Sequence, residues 1–196
     1  VMQASGETIT AVNAAAGVSK LLQISAGAAY TDDHEVVEFD CAPRLNVLLE
    51  VLEETSRKVI VFAPFRHSIH AIYEHLEKHG IKAECIHGDV GVSKRTAIFK
   101  NFQETPDPRV LVIQPQAASH GVTLTAADTV VFYGPVMSVE TYIQCIARSD
   151  RIGQNSDKVT VIHLQGSDIE RKMFKRLEDR VEDHNMLLKL YEEIIK

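Results

Sequence analysis

From Pro43 onward the chain alternates between two hydrophobic periods, and this alternation restricts the fold more than any other feature. Leu45, Leu48, Leu49 and Leu52 recur at helical spacing within 43–54, with Pro43 suited to a first helical turn. The next segment, KVIVFA (58–63), is a continuous apolar, β-branched run, as expected of a parallel strand covered on both faces. Ile69, Ile72, Tyr73 and Leu76 then restore helical spacing within 68–80, and Gly80 is a natural helix stop. Further strands are predicted over 81–87, 109–114, 129–134 and 158–165. Helices are predicted over 93–103 and 138–151, with Ser93 and Ser138 as N-caps. Ser167 and Glu170 make a capping box opening a long terminal helix, with a break expected near 182–185.

Strands and helices in strict alternation imply an α/β fold: a central, mainly parallel sheet with helices on both faces, in three layers. Residues 39–166 form that lobe. Residues 1–38 are expected as a helical linker or arm, helix-like over Thr8–Ser25 and with a short strand over Glu35–Phe39. Residues 167–196 are expected as a C-terminal helical extension. Ligands in such sheets sit at the carboxyl ends of the strands, which directs attention to the loops at 63–66, 87–90, 115–125 and 134–138.

A net charge of −6 excludes a chain that is basic throughout, so any nucleic-acid contact must be local. Cys41, Cys85 and Cys145 lie far apart with no CxxC pair, which fits a reduced, cytoplasmic protein without a zinc knuckle. No secretory signal and no membrane-length apolar run is present in the sequence. The chain opens on Val1, so it is expected to be a piece of a longer protein.

Chemistry concentrates in QCIARSDRIGQ, Gln144 to Gln154. Spacings of four and three place Gln144, Arg148 and Arg151 on one helical face, with Gly153 ending the helix. Two arginines there form a fork able to meet an anion; a solvated basic face is the plainer alternative. The string resembles motif VI of superfamily-two helicases in its Swi/Snf form, through Gln144, Arg148, Arg151, Ile152, Gly153 and Gln154. Cys145 and Ala147 stand where Ala and Asp are frequent. The segment 110–135 resembles motif V through Leu124–Val130 and Phe132–Tyr133. Gly121 is retained there, whereas Ala118 and Ser119 replace paired glycines and Thr123 replaces a frequent Asn. The segment 58–76 resembles motif IV, with Arg66 at the strand exit as a candidate phosphate contact or part of a simple turn. Arg95, after HGDV (87–90), is a second candidate.

This resemblance implies a RecA-like second motor lobe of an ATP-dependent DNA helicase or translocase. It implies Arg148 and Arg151 as catalytic residues facing the γ-phosphate, with Gln144, Gly121 and Gly153 as ATP-binding residues. It implies Arg66, Arg95, Ser119 and His120 on the nucleic-acid side; His120 reads better as a loop histidine than as a base. ATP and Mg2+ belong to the two-lobed parent, with none expected tightly bound here. The implied partners are an N-terminal RecA-like lobe and a DNA backbone, with no membrane. Compact spacing between motifs suggests a prokaryotic or phage form. Two look-alikes fail: GDVGVSK (88–94) lacks the GKS/GKT of a Walker loop, and DDHE (32–35) follows no buried strand. His67, His70, His75 and His79 scatter around their helix, which argues against zinc. The alternative reading is a RecA-like module that docks nucleic acid or protein without hydrolysis, and the altered loop before Gly121 motivates it.

Overall fold

The computed structural model describes the backbone of residues 2–195 except 5, 6, 10–13, 32–34, 119–121 and 155, and side chains from 15 to 183 apart from those and 118. In chain order the first elements are β1 (Met2–Ala4), β2 (Glu7–Ile9), α1 (Ala14–Ser25), β3 (Ala28–Tyr30) and β4 (Val36–Glu38). The lobe follows as α2 (Ala42–Glu54), β5 (Lys58–Phe62), α3 (Arg66–Lys78), β6 (Ala83–Ile86), α4 (Val92–Glu104) and β7 (Val110–Ile113). A short 3-10 turn (Pro115–Ala118) leads on to β8 (Ala127–Phe132), α5 (Val139–Ile146), β9 (Thr160–His163) and α6 (Asp168–Ile195).

Five strands pair in parallel in the order β6-β7-β5-β8-β9, so the expected α/β architecture is present. The crossover through α3 travels away from β5 to the β6 edge, whereas those through α4 and α5 travel the opposite way. Right-handed crossovers therefore place α3 on one face and α4 and α5 on the other. Side-chain alternation along the strands feeds both layers. Ile60, Phe62, Leu111, Ile113, Val130 and Phe132 pack with α4, α5 and the start of α6. Val59, Val61, Val110, Val112, Val131 and Tyr133 pack with α2 and α3. The unbroken apolar runs of β5 and β7 thus reflect burial on both faces, while the edge strands β6 and β9 are only half-buried.

Several local expectations hold. Gly80, at φ +70, ends α3: its N–H donates to Glu77 O at 3.0 Å, and Ile81 N–H reaches Leu76 O at 3.0 Å, the pair of bonds that defines a Schellman stop. Ser138 caps α5 by accepting from Thr141 N–H at 3.3 Å. Others differ. Gly91, with no side-chain cap, precedes α4 where Ser93 was the expected cap. The terminal helix runs unbroken through 182–185. The helix expected to reach Arg151 stops at Ile146.

Two segments expected outside the lobe pack on it. Leu22, Ala26, Ala28 and Ala29 are buried, and Ser25 Oγ meets Ser167 Oγ at 2.8 Å. The stretch before α2 is not purely helical: β1 pairs with β2 and β3 with β4, both antiparallel. Gly27, at φ +105, turns the chain from α1 into β3, and a Cβ there would lie 2.7 Å from Cys41 Cβ. At the other end, Phe174 and Leu177 of α6 belong to the core beneath β8.

A buried ion pair ties these layers. Arg44 Nη2 lies 2.6 Å from Glu170 Oε2, and Arg44 Nη1 donates to Tyr133 O at 2.5 Å. Glu170 Oε2 also accepts from Gly166 N–H at 2.8 Å and Ser167 Oγ at 3.0 Å, so the capping residue of α6 doubles as the partner of α2. Replacing Arg44 alone by Met leaves a buried carboxylate unpaired and is expected to cost about 3–5 kcal/mol in urea unfolding, whereas Arg44→Met with Glu170→Leu should recover most of that loss. Phe174→Ala, which empties a fully buried site, is expected to lower unfolding free energy by about 3–5 kcal/mol in the same measurement.

Candidate functional site

α5 starts beyond the carboxyl end of β8 and runs back beside the sheet, so the residues after it emerge at the amino ends of the strands. Arg148 and Arg151 therefore sit at the edge opposite to the one the carboxyl-end rule favours. They lie not on a helix but on the turn that follows Ile146. Arg148 N–H reaches Cys145 O at 3.3 Å, Ser149 N–H reaches Ile146 O at 3.1 Å, and Arg151 N–H reaches Ser149 O at 3.1 Å. The single helical face expected for Gln144, Arg148 and Arg151 is thereby corrected. Gln144 is exposed and donates to Glu140 Oε1 at 3.3 Å, while Arg148 is only 5% exposed. The reason is local: tight turns replace the i→i−4 ladder after Ile146, and the side-chain directions no longer follow helical spacing.

This turn is fastened to the start of β8. Leu124 N–H donates to Arg148 O at 2.8 Å. The Gln154 amide donates to Ala127 O at 2.9 Å and Ser149 O at 3.0 Å, and Gln154 Oε1 accepts from Ser156 N–H at 3.1 Å. Gly153, at φ +102, lets the chain reverse between Arg151 and Gln154, so it closes the turn and does not end the helix. From α4, Gln103 holds the same entry: its Oε1 accepts from Ala126 N–H at 2.8 Å, and its amide donates to Thr125 Oγ1 at 3.3 Å. Below, β8 carries one extra residue against β5, Asp128. Asp128 accepts from Ser156 Oγ at 3.0 Å and lies 3.5 Å from Arg57 Nε.

The two arginines differ in state. Arg148 Nε is buried and has no hydrogen-bond partner among the described residues. Burial pulls its guanidinium below the ordinary arginine value, and the neighbouring charge of Arg151 pushes the same way. Arg151 is exposed and donates to Thr123 Oγ1 at 3.2 Å. Two like charges held close, one short of a partner, favour an anion arriving between them.

The carboxyl edge carries the other candidates. Arg66, first residue of α3, is exposed and ion-paired with Asp89 in the β6–α4 loop. Arg95 is turned inward: its Nη2 donates to His87 O at 3.3 Å and Val90 O at 3.2 Å, bracing that loop. His67 stacks on Phe65 with ring centroids 5.5 Å apart, and burial pushes it down to about 4, so it is a neutral wall residue. Ser119, His120 and Gly121 lie outside the described residues. The structure thus brings together Arg148, Arg151, Gly153 and the entry of β8, and separates them from Arg66 and Arg95. Gln103, Arg57 and Asp128 were missed by sequence reading; they lie outside any charged or glycine-rich pattern, and only the fold brings them to the turn.

The family described as "Helicase conserved C-terminal domain" matches residues 43–153. Among curated relatives, mouse "Chromodomain-helicase-DNA-binding protein 1-like" is 30% identical over 145 residues, covering 74% of this chain and 16% of the relative. "SNF2 domain-containing protein ENL1" of Oryza sativa subsp. japonica is 28% identical over 163 residues, covering 81% of this chain and 16% of the relative. "Helicase SWR1" of Mycosarcoma maydis is 25% identical, covering 74% of this chain and 8% of the relative. The chain thus spans a small part of each. These relatives are eukaryotic and lend no support to the prokaryotic or phage origin expected from compact spacing. Among solved structures, the C-terminal part of the Fun30 ATPase domain aligns with a TM-score of 0.63 at 22% identity, covering 67% of this chain and 44% of that one. The C-terminal domain of the DEAD-box protein Dbp5 aligns with a TM-score of 0.61 at 21% identity, covering 72% and 80%. The family match takes in more than half of the chain and ends at the arginine turn. The chain belongs to the helicase conserved C-terminal domain family, and the relatives it is similar to include an SNF2 domain-containing protein.

Proposed function

We propose that this chain is the second motor lobe of an ATP-dependent DNA helicase or translocase, and that it completes an ATP-hydrolysing site only together with a first lobe. The observation that carries this reading is the arginine turn: a buried guanidinium with an unsatisfied Nε beside an exposed one, both fastened to the entry of β8. That arrangement fits the γ-phosphoryl oxygens of a nucleotide held by a facing lobe, which would supply the Walker lysine and the Mg2+ ligands. ATP supplies the phosphoryl group that is transferred to water. Arg148 and Arg151 stabilise the charge that develops during transfer, and they need no reorganisation because the turn is already held. Gln144, Gly121 and Gly153 stand on the nucleotide side of this reading. Closure of the two lobes excludes water and strengthens both charges.

Nucleic acid would pass along the opposite, carboxyl edge. There Arg66 can exchange Asp89 for a phosphate and Arg95 holds the His87–Val90 loop in shape; Ser119 and His120 join this side on the sequence resemblance alone. Contacts of this kind read the backbone and not the bases, so binding is tolerant of sequence and sensitive to salt.

In the full-length protein, Arg151→Ala is expected to lower DNA-stimulated ATP turnover by about 10³-fold or more, measured as phosphate release at saturating DNA. Unchanged turnover would sink the finger assignment and favour a docking module that does not hydrolyse. The 196-residue chain alone is expected to release no phosphate above background; turnover there would reveal a second, complete site. Arg66→Ala is expected to weaken DNA binding equally across sequences and to flatten the slope of log affinity against log salt by about 1.

A further inference from the structure

His163 ends β9 with its ring between two helices. Its Nδ1 lies 3.3 Å from Glu178 Oε1 on α6, and its Nε2 lies 2.8 Å from the Tyr142 hydroxyl on α5. Phe174 of α6 stacks on the imidazole, with centroids 4.2 Å apart and planes at 17°. Phe132 of β8 lies against both rings, 5.7 Å from His163 and 4.8 Å from Tyr142.

These contacts favour one tautomer of His163. The Glu178 carboxylate lies at ion-pair distance from Nδ1 and can only accept, which favours the tautomer with its hydrogen on Nδ1. Nε2 is then the acceptor, and the Tyr142 hydroxyl donates to it. Burial lowers the His163 pKa against the opposing pull of Glu178, and it pushes Tyr142 up to about 12, so the neutral pair keeps this order. Tyr142 is 5% exposed in an otherwise apolar layer, and the bond to His163 satisfies its hydroxyl.

Tyr142 stands midway along α5, the helix that leads into the segment bearing the arginines. Arg148 N–H is bonded to Cys145 O, so a slide or rotation of α5 carries the Arg148 backbone with it. His163, Glu178 and all of α6 lie outside the residues that match the family. We propose that Glu178, His163 and Tyr142 form a positioning link through which α6 sets the seat of α5, and with it the placement of Arg148 and Arg151. As far as turnover is concerned, this rests on the motor reading above; the link between α6 and the arginine turn does not.

The test has two readouts. In the 196-residue chain, Tyr142→Phe removes the hydroxyl and keeps the ring. The expected result is a shift of the Arg148 and Arg151 amide resonances in NMR, with a melting temperature lowered by no more than about 2–4 °C. In the full-length protein, Tyr142→Phe and Glu178→Ala are expected to lower the kcat of DNA-stimulated ATP hydrolysis about tenfold with KM for ATP unchanged. Glu178→Gln keeps an acceptor for Nδ1–H and is expected to hold kcat near that of the parent. Arginine resonances that do not move in Tyr142→Phe overturn the link. So does an unchanged kcat in Tyr142→Phe where Arg151→Ala abolishes turnover, or a Glu178→Gln variant no better than Glu178→Ala. If Arg151→Ala leaves turnover intact, the motor reading fails, and the arginine resonances alone decide the link.

Discussion

The entry of β8 is the constraint on which the rest depends. β8 lies inside the sheet with neighbours on both sides, so its first residues need backbone partners that water cannot supply. Arg148 O, Gln154 and Gln103 provide them. The same bonds that start a core strand therefore hold the turn bearing the two arginines. Stability and placement share one set of hydrogen bonds, and loosening the turn would also loosen the sheet.

Most of the cations near the sheet are occupied within the lobe. Arg44 pairs with Glu170 and Tyr133 O, Arg57 with Asp128, Arg95 with loop carbonyls, and Lys58 with Thr105 O and Pro108 O. Arg109 donates to Leu52 O and Thr55 O, joining α2 to the foot of β7. These groups shape the fold. Of the candidate arginines, Arg151 at the amino edge and Arg66 at the carboxyl edge are exposed, whereas Arg148 and Arg95 are turned inward. The whole height of the sheet separates Arg151 from Arg66, and the proposed motor reading assigns the nucleotide to one side and the nucleic-acid backbone to the other.

The family match ends at Gly153, but the packing does not. β9 completes the sheet, Phe174 and Leu177 fill the layer beneath β8, and Glu170 closes the opposite face through Arg44. Any account of how the arginines are held has to include α6. A helix that looks like an appendage in the sequence contributes core side chains, a buried charge and the partner of His163.

Hydrophobic period alone determined much of this protein. Leu45-Leu48-Leu52 and Ile69-Ile72-Leu76 declared their helices, and KVIVF and VLVI declared strands buried on both faces, because burial selects side chains residue by residue along the chain. Gly80 and the Ser167–Glu170 cap were legible because their chemistry is local. The string around Arg148 and Arg151 was legible too, but its geometry was not. Helical spacing extended through Arg151 in sequence, yet the chain turns at Ile146, and that turn is fastened to Leu124 and Ala127, which are distant in sequence. The edge of the sheet on which the arginines emerge follows from the path of α5, and the state of Arg95 follows from the loop it braces. Gln103, Arg57, Asp128 and His163 carry no signal in isolation. Their roles arise from neighbours that only long-range packing brings within hydrogen-bonding distance, and such partners leave no period in the sequence.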